Sequence, residues 1–171
     1  MNPLQFIFQD WKANFGSQRG RIVTLSLRWC QYLRRLPTPF WWVIFPFYVI
    51  HLVLLDLYAM ELHVSLKAGP GLRILHGHAL VVHHGTVIGA NCTLRNSVTV
   101  GIKMYADGTR SKPPVIGDDV DIGSNAVIIG PIRVGSNVVI GAGAVVVKDV
   151  PDGAVVVGNP ARIVRMREGF S

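Results

Sequence analysis

The stretch from Val115 to Val147 reads VIGDDVDIGSNAVIIGPIRVGSNVVIGAGAVVV. Every sixth residue from Ile116 is aliphatic: Ile116, Ile122, Ile128, Val134, Ile140 and Val146. The same step upstream gives Val82, Ile88, Leu94 and Val100. The next residue is often glycine, as at Gly89, Gly101, Gly117, Gly123, Gly135 and Gly141, and small residues fall at Cys92, Ala126 and Ala144. A helix repeats every 3.6 residues and a half-buried strand every 2, so neither produces this period. Each hexapeptide is instead one short strand and a turn, one side of a triangular coil with the aliphatic residue pointing inward. Three hexapeptides close a coil, and the coils stack by parallel strand pairing, because one alone cannot bury its face. The chain is therefore expected to be mainly β, a single-stranded parallel β-helix.

Outward from the repeat, the step breaks between Val100 and Ile116, where GIKMYADGTRSKPP is polar and rich in turn formers. This reads as an extended loop, 102–115, and such excursions on solenoids often carry binding function. After the repeat, VPDGAVVVGNPARIVR reads as a last strand, a Gly-Asn-Pro turn and a basic tail. Residues 1–60 have a different, helical grammar, with Trp11, Phe15, Ile22, Leu25, Leu27, Trp29, Tyr32 and Leu33 recurring at helical intervals. Pro37-Thr38-Pro39 marks a break, and FWWVIFPFYVIHLVLL (40–55) then runs without a formal charge. That run is shorter than the roughly 20 residues needed to span a bilayer. It starts late, and no small-residue cleavage site follows, so it is not read as a signal peptide. Two readings stand: a helical hairpin packed on the rest of the protein, or an arm associated with a membrane surface. The expected division is 1–60, helical, and 61–171, β-helix with its loop and tail.

Of the 171 residues, 50% are hydrophobic and 16% charged, which excludes a disordered chain. Cys30 and Cys92 are too few for a disulfide framework and suit a reducing compartment. The net charge of +7 attracts phosphates in general. Without a zinc-finger or RNA-binding signature, nucleic acid is not an expected partner.

Of six histidines, four lie in LHGHALVVHHG: His76, His78, His83 and His84. The His78/His83 spacing could serve zinc, but a third ligand has no obvious source downstream. A histidine can also act as a general base on a hydroxyl, given a partner that fixes its tautomer. Glu61 lies fifteen residues before His76, and a coil of about eighteen residues brings the chain back to that neighbourhood. The offset permits a Glu61–His76 pair without requiring one.

From Glu61 to about Arg165 the chain resembles the hexapeptide-repeat, left-handed β-helix acyltransferases. The branch is that of the serine acetyltransferases, and within it the polysaccharide-pathway members of the colanic acid type. The matching stretches are ELHVSLKAGPGLRILHGHALVV, NSVTVG, VIGDDVDIGSNAVIIG, VVIGAGAVVVKDVP and VVGNPARIV. The resemblance implies an acetyl-CoA-dependent O-acyltransferase with His76 as base and Glu61 as its acidic helper. It also implies a homotrimer whose intersubunit groove takes acetyl-CoA. Ser124 and Ala142 would lie along the pantetheine chain, Gly101 near the thioester, and Lys148 and Arg162 near the phosphates. No metal is required by this chemistry.

Serine-specific members carry an aspartate before the base and an Arg-His pair in the loop; here those positions are Leu75, Lys112 and Pro113. These departures favour another hydroxyl acceptor, a sugar of exopolysaccharide or capsule synthesis. The expected location is cytoplasmic, at the inner face of the membrane if the N-terminal arm attaches there. Serine O-acetylation, a zinc-dependent hydratase of similar shape and a non-catalytic trimeric scaffold are the alternatives.

Overall fold

The computed structural model describes residues 2–36 and 41–169. Three helices come first: α1 (Pro3–Ile7), α2 (Gln18–Leu33) and α3 (Trp41–Leu57). The expected Pro37-Thr38-Pro39 break lies outside the described residues. Short strands follow, three to a coil. The first coil holds β1 (Glu61–Leu62), β2 (Lys67–Ala68) and β3 (Arg73–Ile74). The second holds β4 (Val81–Val82), β5 (Val87–Ile88) and β6 (Thr93–Leu94), and the third β7 (Thr99–Gly101), β8 (Val115–Ile116) and β9 (Asp121–Ile122). The fourth holds β10 (Val127–Ile129), β11 (Arg133–Val134) and β12 (Val139–Ile140). The chain ends in β13 (Val145–Val146), β14 (Ala154–Val157) and β15 (Arg162–Met166).

Corresponding strands stack into three sheets, in the orders β1-β4-β7-β10-β13, β2-β5-β8-β11 and β3-β6-β9-β12-β14-β15. All pairings are parallel except β14 with β15. This is a left-handed parallel β-helix. The inward columns are the aliphatic residues of the six-step, and Ile116, Ile122, Ile128, Val134, Ile140 and Val146 are all buried. The corners need a left-handed residue, which asparagine and aspartate tolerate better than branched residues do. Asn91, Asp119, Asn125 and Asn137 hold φ between 56° and 59° there.

Two details differ from the sequence reading. The excursion ends one residue earlier, at 114, because Val115 already pairs with Val87. The basic tail is a strand, folded back so that Ala154 faces Met166 and Val157 faces Arg162.

The N-terminal segment closes the opposite end. The outer edge of the first coil would leave backbone groups without partners, at a cost when they are buried. Side chains supply the missing bonds. The Asn14 amide donates to the Leu72 carbonyl (2.8 Å) and accepts from the Ile74 amide (2.8 Å). Asp10 accepts from the Leu72 amide (2.9 Å), and the Ser17 hydroxyl donates to the Ile74 carbonyl (2.8 Å). Arg28 donates to the carbonyls of Ala68 (3.0 Å) and Gly69 (2.7 Å), and Gln31 to that of Leu66 (2.9 Å). Arg28 is itself buried against Asp10, with Nε 2.7 Å from the carboxylate. A charge can stay buried only when paired and hydrogen-bonded, and this one is both.

Candidate active site

The corner between the third and first sheets carries the residues of interest. In later coils it has four residues, as in Gly123–Ala126 between β9 and β10. Between β3 and β4 it has six, Leu75 to Leu80, so the buried step from Ile74 to Val82 is eight residues rather than six. The two extra residues make this corner project. His76 and His78 are exposed on it, and His76 holds φ at 53°. Left-handed residues recur at the corners, and this one holds a second, Ala79, at 51°. Gly77 is buried beneath them, and a Cβ there would collide with the end of Met60.

Corner hydrogen bonds set the register along this edge. The Ser97 amide donates to the His78 carbonyl (2.9 Å), Asn125 to Asn96 (3.1 Å) and Gly143 to Ser124 (2.9 Å). His78, Asn96, Ser124 and Ala142 therefore form one column, with His76 two residues before His78 at its first-coil end. The Ser124 hydroxyl donates to the Asn96 side-chain carbonyl at 2.8 Å. At about 4.8 Å per coil, the column from His78 to Ala142 runs about 14 Å. The turn before β15 continues it, where the Val145 amide bonds to the Gly158 carbonyl (2.9 Å), so Arg162 begins at its far end. Gly101 ends β7, and exposed Lys148 follows β13; both belong to the opposite edge of the same sheet. Sequence reasoning missed Asn96 and His78 in the column, because the loop insertion hides Asn96 from a six-residue count begun at Ser124.

Glu61 opens β1 and pairs with Val81 one coil up. It lines a cavity of about 570 Å³ with His63, His83, His84, Asp56 and Tyr48. His76 lines a separate cavity of about 430 Å³ with Leu75, Ser17 and Arg19. Among the described residues, no side-chain hydrogen bond joins Glu61 to His76. Glu61 instead shares its cavity with a histidine cluster the sequence did not single out as a unit. The His83 and His84 rings lie 4.3 Å apart, and His63 and His84 6.0 Å apart. Nδ1 of His83 accepts the Gly85 amide (3.1 Å), and that of His63 accepts the Ser65 amide (3.2 Å), which puts the proton of each neutral ring on Nε2. Partial burial, with His84 and the loop's Arg110 nearby, holds His83 below the ordinary histidine range. Among the described residues, no group of three or more His, Cys, Asp or Glu side chains is placed to hold a metal ion.

Neither cysteine suits a nucleophile. Burial pushes the thiols of Cys30 and Cys92 up to about 11, far from the thiolate that attack requires. The loop after β7 is a small antiparallel tongue, bridged between Met104 and Arg110. Its tip is tied by the Asp107 carboxylate, which accepts the Thr109 hydroxyl (2.6 Å) and amide (2.9 Å) and is held below the usual carboxylate range by those bonds.

Known proteins share the repeat and the fold. Residues 113–148 match the family model described as bacterial transferase hexapeptide (six repeats). Serine acetyltransferase 5 of Arabidopsis thaliana is 42% identical over 119 residues, 70% of this chain and 38% of its own length. The "Putative colanic acid biosynthesis acetyltransferase WcaB" of Escherichia coli (strain K12) is 33% identical over 163 residues, 92% of this chain and 98% of its own. The crystal structure of a serine acetyltransferase from Brucella abortus strain S19, in complex with coenzyme A, superposes with a TM-score of 0.78 at 25% identity, over 98% of this chain and 69% of that one. The chain thus spans well under half of the plant enzyme but nearly all of WcaB. With its stacked hexapeptide coils and a relative matched almost from end to end, the chain belongs to the hexapeptide-repeat acyltransferases, among the homologues of the serine acetyltransferases and WcaB.

Proposed function

We propose that the protein transfers an acetyl group from acetyl-CoA to the hydroxyl of a saccharide, with His76 as general base. The observation that carries this reading is the lengthened corner, which exposes His76 at one end of the column of His78, Asn96, Ser124 and Ala142. An extended thioester-bearing arm could lie along that column with its reactive end beside an imidazole. The similarity to a serine acetyltransferase seen in complex with coenzyme A supports the donor.

In this mechanism His76 takes the proton of the acceptor hydroxyl as its oxygen closes on the thioester carbonyl. The collapsing tetrahedral centre expels the CoA sulfur, and the His76 imidazolium returns the proton to it. Glu61 is the proposed helper, supporting the charge on the ring as a triad carboxylate does; this requires its carboxylate to leave the cavity it shares with His83 and His84 for the one that His76 lines. Backbone N–H groups near Gly101 face the developing oxyanion, and one such donor is worth about 3 kcal/mol in comparable sites. Lys148 and Arg162 meet the phosphates, since charge-assisted bonds to phosphate are the strong ones. His76 and Gly101 sit on opposite edges of one sheet. A groove using both edges takes them from two neighbouring protomers, and the family resemblance makes the homotrimer the assembly proposed for them.

The saccharide acceptor rests on Leu75, Lys112 and Pro113, which supply no acidic grip for an amino group and no Arg-His pair. Serine remains the second reading because of the 42% identity to a plant serine acetyltransferase. The test measures CoA release with L-serine and with oligosaccharide and nucleotide-sugar acceptors. Turnover is expected on a saccharide, and His76→Ala should lower kcat by about a hundredfold or more, the usual scale for losing a general base. A preference for L-serine overturns the acceptor, and an unchanged kcat overturns the base.

A further inference from the structure

We infer that the outward face of α3 is a docking surface for an anionic lipid bilayer. A helix that is apolar all round belongs in a core or in lipid. α3 is uncharged from Trp41 to Leu55, yet among its described side chains only one side is covered. Its inward side buries His51 and Leu55, and Tyr48 packs against Leu27, Cys30 and Val64. Its outward side leaves Phe45 58%, Ile50 54%, Val53 61% and Leu57 69% exposed. This is a contiguous apolar patch of the kind that marks an interaction surface.

The surrounding charge selects the occupant. Exposed Arg34, at the end of α2, shares a groove of about 380 Å³ with Ile44, Phe45 and Tyr48, and exposed Arg35 is next to it. Exposed Arg19, whose guanidinium lies over Tyr58 just beyond α3, adds to these, against exposed Asp56 and Glu61; Asp10 is buried and paired with Arg28. A second copy would set this positive field against itself. A layer of anionic headgroups complements it while the apolar side chains enter the acyl boundary. No described helix is long and apolar enough to cross a membrane, so α3 would lie on the surface, about 26 Å long at 1.5 Å per residue.

The full chain is sedimented with extruded vesicles of phosphatidylcholine alone or mixed equally with phosphatidylglycerol. Binding to the anionic vesicles should be at least tenfold tighter and should weaken with salt. Val53→Asp should reduce it about tenfold and the Arg34→Gln/Arg35→Gln double variant several-fold. Circular dichroism and turnover of soluble acceptor should be unchanged in both. The inference fails if the protein does not sediment with anionic vesicles or if both variants bind like the parent. It also fails if Val53→Asp lowers the mass measured by light scattering without lipid, which would give the face to a second copy. None of these outcomes depends on the identity of the acetyl acceptor.

Discussion

A Cβ placed on Gly123 would come within 2.5 Å of the Ala142 amide nitrogen, whereas one placed on Gly101 would meet nothing within 4 Å. Neither glycine has positive φ. Gly123 is therefore required by the approach of the next coil, while nothing inside the chain requires Gly101 to lack a side chain. If Gly101 is kept bare for the thioester, the two alanine variants should part company. Gly123→Ala is expected to lose about 1–3 kcal/mol through overpacking, seen as a lower urea midpoint. Gly101→Ala is expected to keep the parental midpoint but raise the KM for acetyl-CoA several-fold. The sequence displayed both glycines in the same repeat slot and could not separate these demands, because the difference lies in what stands opposite each one.

Among the elements, the link between helices and first coil is the most exposed to a single substitution. Asn14 serves both the Leu72 carbonyl and the Ile74 amide. Asn14→Ala would leave two buried backbone groups unpaired, at about 1–3 kcal/mol each. Denaturant unfolding should show a loss of about 2–6 kcal/mol, and Ser17→Ala, which removes one bond to the first coil, a smaller one. The inward columns of the coils were legible because the period repeats them. The cap was not legible, since Asp10, Asn14 and Ser17 find partners about sixty residues away and polar spacing carries no sign of a distant carbonyl. The candidate site was half legible. The fifteen-residue offset of Glu61 from His76 fixes a coil but not a cavity, and the lengthened corner showed only as an eight-residue step from Ile74 to Val82.

The whole molecule joins its helical and β parts at His51, buried between α2, α3 and β1. A neutral ring serves both neighbours when the Ser26 hydroxyl turns from the Val23 carbonyl (3.0 Å): Nε2–H donates to the Leu62 carbonyl (3.3 Å), and Nδ1 accepts the Ser26 hydroxyl (2.9 Å). Burial, chiefly, and the nearby His63 hold its pKa below the ordinary histidine value, opposed by the bond to Leu62. The unfolded chain then binds the proton more readily than the folded one. The contribution to stability is complete above about pH 6.5 and shrinks as pH falls below it. Urea midpoints between pH 8 and pH 5 should fall further for the parent than for His51→Gln, whose amide can reach the same carbonyl without titrating. Equal slopes would remove His51 as a source of acid sensitivity.

A spiral of identical rungs contains nothing that says where to stop. Here one terminus is stoppered by side chains from Asp10 to Gln31 and the other by a returning ribbon, Arg162–Met166. Rung number is thereby uncoupled from solubility. An extra eighteen-residue turn spliced between the stoppers should be accommodated, whereas removing either stopper would leave a raw template on which further molecules could grow into a fibre.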